Sequence, residues 1–213
     1  MHLLLKASCC AVRGQGAFVE GVGQKQVEVP GIGERFLNGF SQHFHLFPGQ
    51  IVPVRFRYEA GNHPQVKGLV YVAAGAPDSG QSFGEWWKDY TPAPAAAEIK
   101  PYGEGYVALT LEGVRKHFVQ DIPTDEADIV YATQGPLAAR CFDDKVSQTA
   151  WRSKPSWYIV AAQDETIPPA VERDSADRMG AQTLVLQSSH VPMLSQPQAM
   201  AEFIASAAAS IDA

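Results

Sequence analysis

Two side chains in the C-terminal third have the types and spacing for proton transfer. Asp164 follows the apolar run SWYIVAA (156–162), and His190 follows TLVLQ (183–187). In open α/β sheets, functional groups sit on loops just past the carboxyl ends of strands. The 26 residues from Asp164 to His190 leave room for one helix and one strand. If the two apolar runs are neighbouring strands, both side chains emerge at one edge of the sheet. The chemistry this allows is base catalysis: a carboxylate fixes the tautomer of an imidazole, which takes the proton of a nucleophile. A lone histidine after a strand is structural more often than catalytic. Glu165, beside Asp164, reads as a solvated turn residue.

The surrounding pattern supplies the elements that would hold such a pair. SWYIVAA is continuously apolar, as expected of a strand buried on both faces. QDETIPP reads as a loop and AVERDSADRMG as a helix, with Thr166 as its N-cap, prolines in its first turn and Gly180 as its stop. TLVLQ reads as a second buried strand. QPQAMAEFIASAAASI reads as a terminal helix with Met200, Phe203 and Ile204 on one face. Strand, helix, strand, helix predicts a parallel sheet with right-handed crossovers. VKGLVYVAAGAPD (66–78) holds a further buried strand, Gly68 to Ala74.

Residues 79–150 lie between two parallel strands and are too many for a simple crossover, so they read as an inserted lid or cap. GYVALTLEGVRKHFV alternates like a hairpin about Glu112-Gly113, which leaves His117 exposed. TDEADIVYATQ and PLAARCFDDKV read as helical. SFGEWWKDY carries four aromatics in eight residues, fit either to line an apolar pocket or to pack lid against core. Residues 1–58 are divergent. VRGQGAFVEGVGQ is glycine-rich, and IVPVRFRYEA alternates with Pro53 inside it, unlike a central parallel strand.

Composition narrows the partners. The chain has 213 residues, 46% hydrophobic and 19% charged, which suits one soluble domain over 1–213. A net charge of −6 without a basic stripe argues against nucleic acid or an anionic membrane as partner. Three cysteines, Cys9, Cys10 and Cys141, form no CxxC pair, which disfavours a zinc site and suits a reducing compartment. MHLLLKASCCAV has three leucines before Lys6, where an export signal needs roughly 7–15 apolar residues. No run approaches the ~20 apolar residues of a membrane span. The expected location is cytoplasmic.

SWYIVAAQDETIPP with LVLQSSHVPMLSQPQAMAEFI resembles the C-terminal third of an α/β-hydrolase, and GNHPQVKGLVYVAAGAPDSGQS resembles the strand before the lid in the same proteins. The resemblance spans residues 59–213 and is to the small bacterial esterase-like branch related to plant methylesterases and hydroxynitrile lyases. It implies a mostly parallel sheet with helices on both faces and a lid insertion, the N-terminal part of the sheet being incomplete. It implies Asp164 as the acid and His190 as the base of a Ser-His-Asp triad, in the chain order this fold uses. It also implies small-molecule ester substrates and no metal or organic cofactor. QGAFVEG resembles the family's oxyanion turn, with Gln15 where His is usual, and Ala17 would supply the N–H.

The nucleophile is the departure. The family places it on a G-x-S-x-G turn between a strand and a helix. No such string occurs upstream of residue 59, where the fold needs it. GFSQH offers Ser41 with the first glycine but His43 in place of the second; Ser8, Cys9 and Cys10 have no turn around them. Between Phe18 and Glu59 lie 40 residues, about half the length the family uses there. Gly49-Gln50-Ile51-Val52 stand where the family has Gly-His-Ser-Tyr, and codons for Ile-Val read one base later can spell Ser-Tyr. Residues 19–58 are therefore either translated out of frame or rebuilt. Two classes of function stay open: a serine hydrolase of small esters, and a catalytically inactive or truncated relative that either binds a small apolar ligand or is a damaged product that folds poorly.

Overall fold

A computed structural model describes residues 2–7, 11–12 and 61–211. Its strands, in chain order, are β1 (His2–Ala7), β2 (Ala11–Val12), β3 (Val66–Val72), β4 (Ile99–Pro101), β5 (Tyr106–Leu109), β6 (Gln134–Gly135), β7 (Leu137–Ala138), β8 (Ser156–Ala161) and β9 (Gln182–Leu186). The main sheet has the order β1-β3-β8-β9, and every pair in it is parallel. β1 lies in a stretch whose pattern gave no strand signal, and it pairs along β3 from Leu3↔Gly68 to Ala7↔Val72.

The two apolar runs are central because both of their faces are buried. Val70 and Val72 of β3 and Trp157 and Ile159 of β8 point into one core. Leu69 and Tyr71 of β3 and Tyr158 and Val160 of β8 point into the other. This is the period-two alternation of a strand with apolar residues on both sides. The helices are α1 (Phe83–Trp87), α2 (Leu111–Gly113), α3 (Thr124–Thr133), α4 (Pro169–Met179), α5 (Pro192–Ser195) and α6 (Pro197–Ile211). Met200, Ala207 and Ala208 of α6 cover the first face, and Ala176 and Met179 of α4 the second. α4 ends at Gly180, whose φ of 60° is the left-handed conformation that terminates helices. β9 pairs only with β8 among the described strands, so it is an edge rather than a buried strand, and Val185 is 44% exposed.

The segment between β3 and β8 differs from its expected form in three places. Its hairpin is β4–β5, with the reversal at Gly103 and Gly105, whose φ values of 64° and 75° allow a tight turn. Glu112-Gly113 lies instead in α2, capped by the Thr110 hydroxyl, which accepts from Gly113 N–H at 2.9 Å. The helix passes so close to Glu98 that a Cβ on Gly113 would lie 2.5 Å from that of Glu98, so glycine is required there. α2 continues as one π-helical turn, Val114–Phe118. The run PLAARCFDDKV forms a short strand, β7, and a 3-10 turn at Ala139–Phe142 rather than a helix, because β7 is taken into the β4–β5 sheet. TDEADIVYATQ is helical, as α3.

Candidate active site

β8 and β9 are adjacent and parallel, so the loops after them leave the same edge of the sheet. Their ladder runs on past the strands. Ala162 N–H donates to the Leu186 carbonyl at 2.8 Å, and Gln163 N–H to the Ser188 carbonyl at 3.0 Å. These two bonds set the loops side by side and bring Asp164 to His190. His190 Nδ1 lies 2.5 Å from Asp164 Oδ2. Both residues are buried, at 5% and 4% exposure. An ionised carboxylate can only accept, so Nδ1 carries the proton and Nε2 of the neutral ring is left as the basic nitrogen. Nε2 has no hydrogen-bond partner among the described residues.

The second oxygen of Asp164 is also committed. Oδ1 accepts from Thr166 N–H at 2.6 Å and Ile167 N–H at 2.9 Å, a turn closed by the aspartate side chain. Asp164, not Thr166, thus satisfies the free N–H groups before α4. The N-cap position falls to Pro168, without a side-chain bond, and the Thr166 hydroxyl donates to the His117 carbonyl at 2.9 Å.

A second strand of contacts comes from the π turn and its exit. The Phe118 ring lies 5.0 Å from the His190 ring, tilted by 42°. Asp121 Oδ2 accepts from Ser189 N–H at 2.8 Å, fixing the residue before the histidine. Gln120 Nε2 donates to the Gln163 carbonyl at 2.7 Å, fixing the residue before the aspartate. His117 Nδ1 lies 2.5 Å from Glu165 Oε2. His117 is therefore half-buried and paired rather than exposed, and Glu165 is its partner rather than a free turn residue. Residues 117–121 hold both loops at once. π turns often occur at functional sites.

Glu172 lies beneath the pair. It is completely buried on α4. Oε2 accepts from Ala161 N–H at 2.9 Å, while Oε1 has no aligned partner among the described residues. Burial, then the charge of Asp164 and a hydrogen-bonding contact with it, push the Glu172 carboxyl well above the usual carboxylate range. The one sequence signal for it is position: Val171, Glu172, Ser175 and Ala176 form the buried stripe of α4, and an acid does not belong in such a stripe without a reason. Nothing in the sequence singles out Phe118, Gln120 or Asp121, whose roles depend on tertiary contacts.

The aromatics of SFGEWWKDY pack rather than line an apolar cavity. Phe83 and Trp86 join Ile167 and Val171 in a small core, with Trp87 and Tyr90 half-buried against it. A hollow of about 310 Å³ beside them is lined by Gln81, Trp86, Asp89, Tyr90, Asp174 and Arg178, and includes neither Asp164 nor His190. Ala17, Ser41, Ser8, Cys9 and Cys10 lie outside the described residues, as does the stretch 19–58. Among the described residues no helix is long and apolar enough to cross a membrane.

Comparison with solved structures gives several similar chains. The pyrethroid hydrolase PytH shares 26% identity at a TM-score of 0.58, covering 70% of this chain and 63% of that one. A pyrethroid hydrolase from Sphingobium faniae JZ-2 shares 24% identity at a TM-score of 0.61, covering 81% and 76%. Polyneuridine aldehyde esterase shares 16% identity at a TM-score of 0.61, covering 73% and 67%. The chain thus spans less than two thirds of the length of PytH. No curated protein matches it by sequence. The sequence model of the alpha/beta hydrolase family matches residues 30–203, starting upstream of residue 59 where the resemblance in the sequence begins. With this match over most of its length, and a parallel sheet covered by helices on both faces, the chain belongs to the alpha/beta hydrolase family.

Proposed function

We propose that the protein hydrolyses small-molecule esters through a nucleophile, a base and an acid, with His190 as base and Asp164 as acid. The observation that carries this reading is the buried 2.5 Å contact between His190 Nδ1 and Asp164 Oδ2, with Nε2 left unpaired among the described residues. Nε2 would take the proton of an attacking hydroxyl, and Asp164 would stabilise the imidazolium that forms. The nucleophile falls to a residue outside the described ones, with Ser41 as candidate, and Ala17 N–H would help to hold the oxyanion. Residues 79–150 would act as the cap over the substrate. Ester substrates are favoured by the pyrethroid hydrolases and the esterase among the similar structures. The sparse cysteines, with Cys141 buried and unpaired, favour a cytoplasmic location.

The test is labelling of purified, folded protein with a fluorophosphonate, followed by peptide mapping. One stoichiometric adduct, lost in His190→Ala, is expected, and the map names the nucleophile. The lack of a G-x-S-x-G turn upstream of residue 59, with the one such string at Gly80–Gly84 placing Ser82 as the buried N-cap of α1, favours a second reading, a non-catalytic relative that keeps the acid–base pair. A protein that melts cooperatively but takes no label would establish that second reading and overturn the first.

A further inference from the structure

We infer that Glu172 is a positioning residue that donates a hydrogen bond from its carboxylic acid to Asp164, and so fixes the acid that orients His190. The inference rests on the reading of Asp164 and His190 as an acid–base pair. Oε2 of Glu172 accepts from Ala161 N–H, so Oε2 is the carbonyl-like oxygen. Any proton on this carboxyl therefore sits on Oε1, the buried atom without an aligned partner. A completely buried carboxyl with a single N–H donor favours the un-ionised form, whereas Asp164 meets three N–H groups that favour its charge. Arg173, on the same helix, opposes burial only weakly, after the larger effects of burial itself and of Asp164. The charged group that bears on this carboxyl is Asp164, whose own bonds go to His190 Nδ1 and to Thr166 and Ile167 N–H.

The backbone ties the same groups together. Ala161, the last residue of β8, gives its N–H to Glu172, and its carbonyl accepts from Asp164 N–H at 3.2 Å. Glu172 thus grips the strand end from which the Asp164 turn springs. Satisfying one N–H needs one acceptor, which a hydroxyl or an amide could supply. The spare O–H is what an acid adds, and a donor is what a carboxylate at this place can use. Two ionised carboxylates in a buried site would repel, so the arrangement is stable only with the proton in place.

Glu172→Gln and Glu172→Met separate donation from filling space. The amide offers an oxygen to Ala161 N–H and an N–H to Asp164; the thioether offers neither. Two readouts that need no turnover are used. Isotope-edited infrared spectroscopy at pH 7 reports whether a protonated carboxyl is present in the native protein and lost in Glu172→Gln. Proton NMR reports the downfield Nδ1–H of His190, assigned by its loss in His190→Ala. The expected result is a protonated-carboxyl band at pH 7, an Nδ1–H resonance unmoved in Glu172→Gln, and one shifted or lost in Glu172→Met. Absence of the band, or an Nδ1–H resonance that Glu172→Met leaves in place, would overturn the inference. If Glu172→Met does not fold, the band and the Glu172→Gln resonance decide: both as expected supports it, either one failing overturns it. Because neither readout involves a nucleophile, failed labelling would remove the hydrolase reading and leave this result standing on its own.

Discussion

Asp164 does two jobs with two oxygens, and Asp164→Asn and Asp164→Ala should separate them. Oδ1 holds Thr166 and Ile167 N–H, and Oδ2 holds His190 Nδ1–H. Asparagine keeps an acceptor at Oδ1 and puts an NH₂ in place of Oδ2. The turn survives, at about 1–2 kcal/mol for exchanging charge-assisted for neutral bonds. The imidazole must then turn its Nδ1 lone pair to the amide and carry its proton on Nε2, where it can no longer act as base. A triad with its acid so changed loses about 10⁴ in turnover. Alanine removes every acceptor. Two of the stranded donors, Ile167 N–H and His190 Nδ1–H, are on residues at 1% and 5% exposure. At roughly 1–3 kcal/mol each the cost is about 2–6 kcal/mol, a large part of the ~5–15 kcal/mol a domain has. Urea unfolding followed by tryptophan fluorescence gives the stabilities, and the rate of fluorophosphonate labelling gives the reactivity. Expected are Asn close to wild type in midpoint and about 10⁴ slower in labelling, with Ala far below both in midpoint. An Asn variant that labels at the native rate would refute the tautomer argument. An Ala variant as stable as Asn would refute the claim that Oδ1 closes the turn.

Glu172→Gln should change how stability depends on pH. With its folded value raised above the ordinary 4.5, the native acid contributes fully below pH 4.5 and loses its contribution as pH rises from there toward the raised value. Gln does not titrate, so wild type should lose ground to Glu172→Gln above pH 4.5, by up to about 1.4 kcal/mol per pH unit; parallel urea midpoints from pH 4 to 8 would contradict this. Phe118→Ala removes a ring that is 2% exposed and faces His190, and a loss of about 3–5 kcal/mol in urea unfolding is expected, against no change if the ring merely fills a surface groove. Amide hydrogen exchange should find the 114–119 backbone protected, since Val114, Phe118 and Val119 are buried, and the 102–106 turn open, with Tyr102 60% exposed; equal protection would be the contrary result. The gene should carry a serine codon in the +1 frame across codons 51–52, and DNA sequencing that finds none ends the out-of-frame reading.

The legible parts of the chain were those whose burial is written in neighbouring residues. Leu69 to Val72 and Trp157 to Val160 show no alternation because both faces of their strands are covered. That placed Asp164 and His190, each just past an apolar run. The parts that misled were those where one contact decides between two local conformations. VALTLEGV alternates through Leu111 and invites a hairpin, but the positive φ of Gly103 and Gly105 makes the reversal earlier and Thr110 is then free to cap a helix. Thr166 has the chemistry of an N-cap, but the aspartate two residues before it reaches the same N–H groups first. Val185 looks as buried as Val160; only its place on the edge strand exposes it. Glu172 could have been suspected from an acid in an apolar stripe, though its neighbour across the fold could not.

The contacts of residues 117–121 constrain how a cap could move. This segment is part of the insertion between β3 and β8, yet Val114, Phe118 and Val119 belong to the same core as Trp157 and Ile159 of the central strand. It also bonds to the loop of Asp164 through Gln120 and to that of His190 through Asp121. Lifting it would strand Ser189 N–H, whose residue is fully buried, and withdraw the ring from His190. An unsatisfied buried donor alone costs roughly 1–3 kcal/mol, so such motion would disassemble the pair it is meant to uncover. If the insertion is the cap proposed above, gating would belong to the rest of it, with the β4–β5 hairpin the more exposed part. Residues 117–121 are then a brace within the insertion that holds Asp164 and His190 in register.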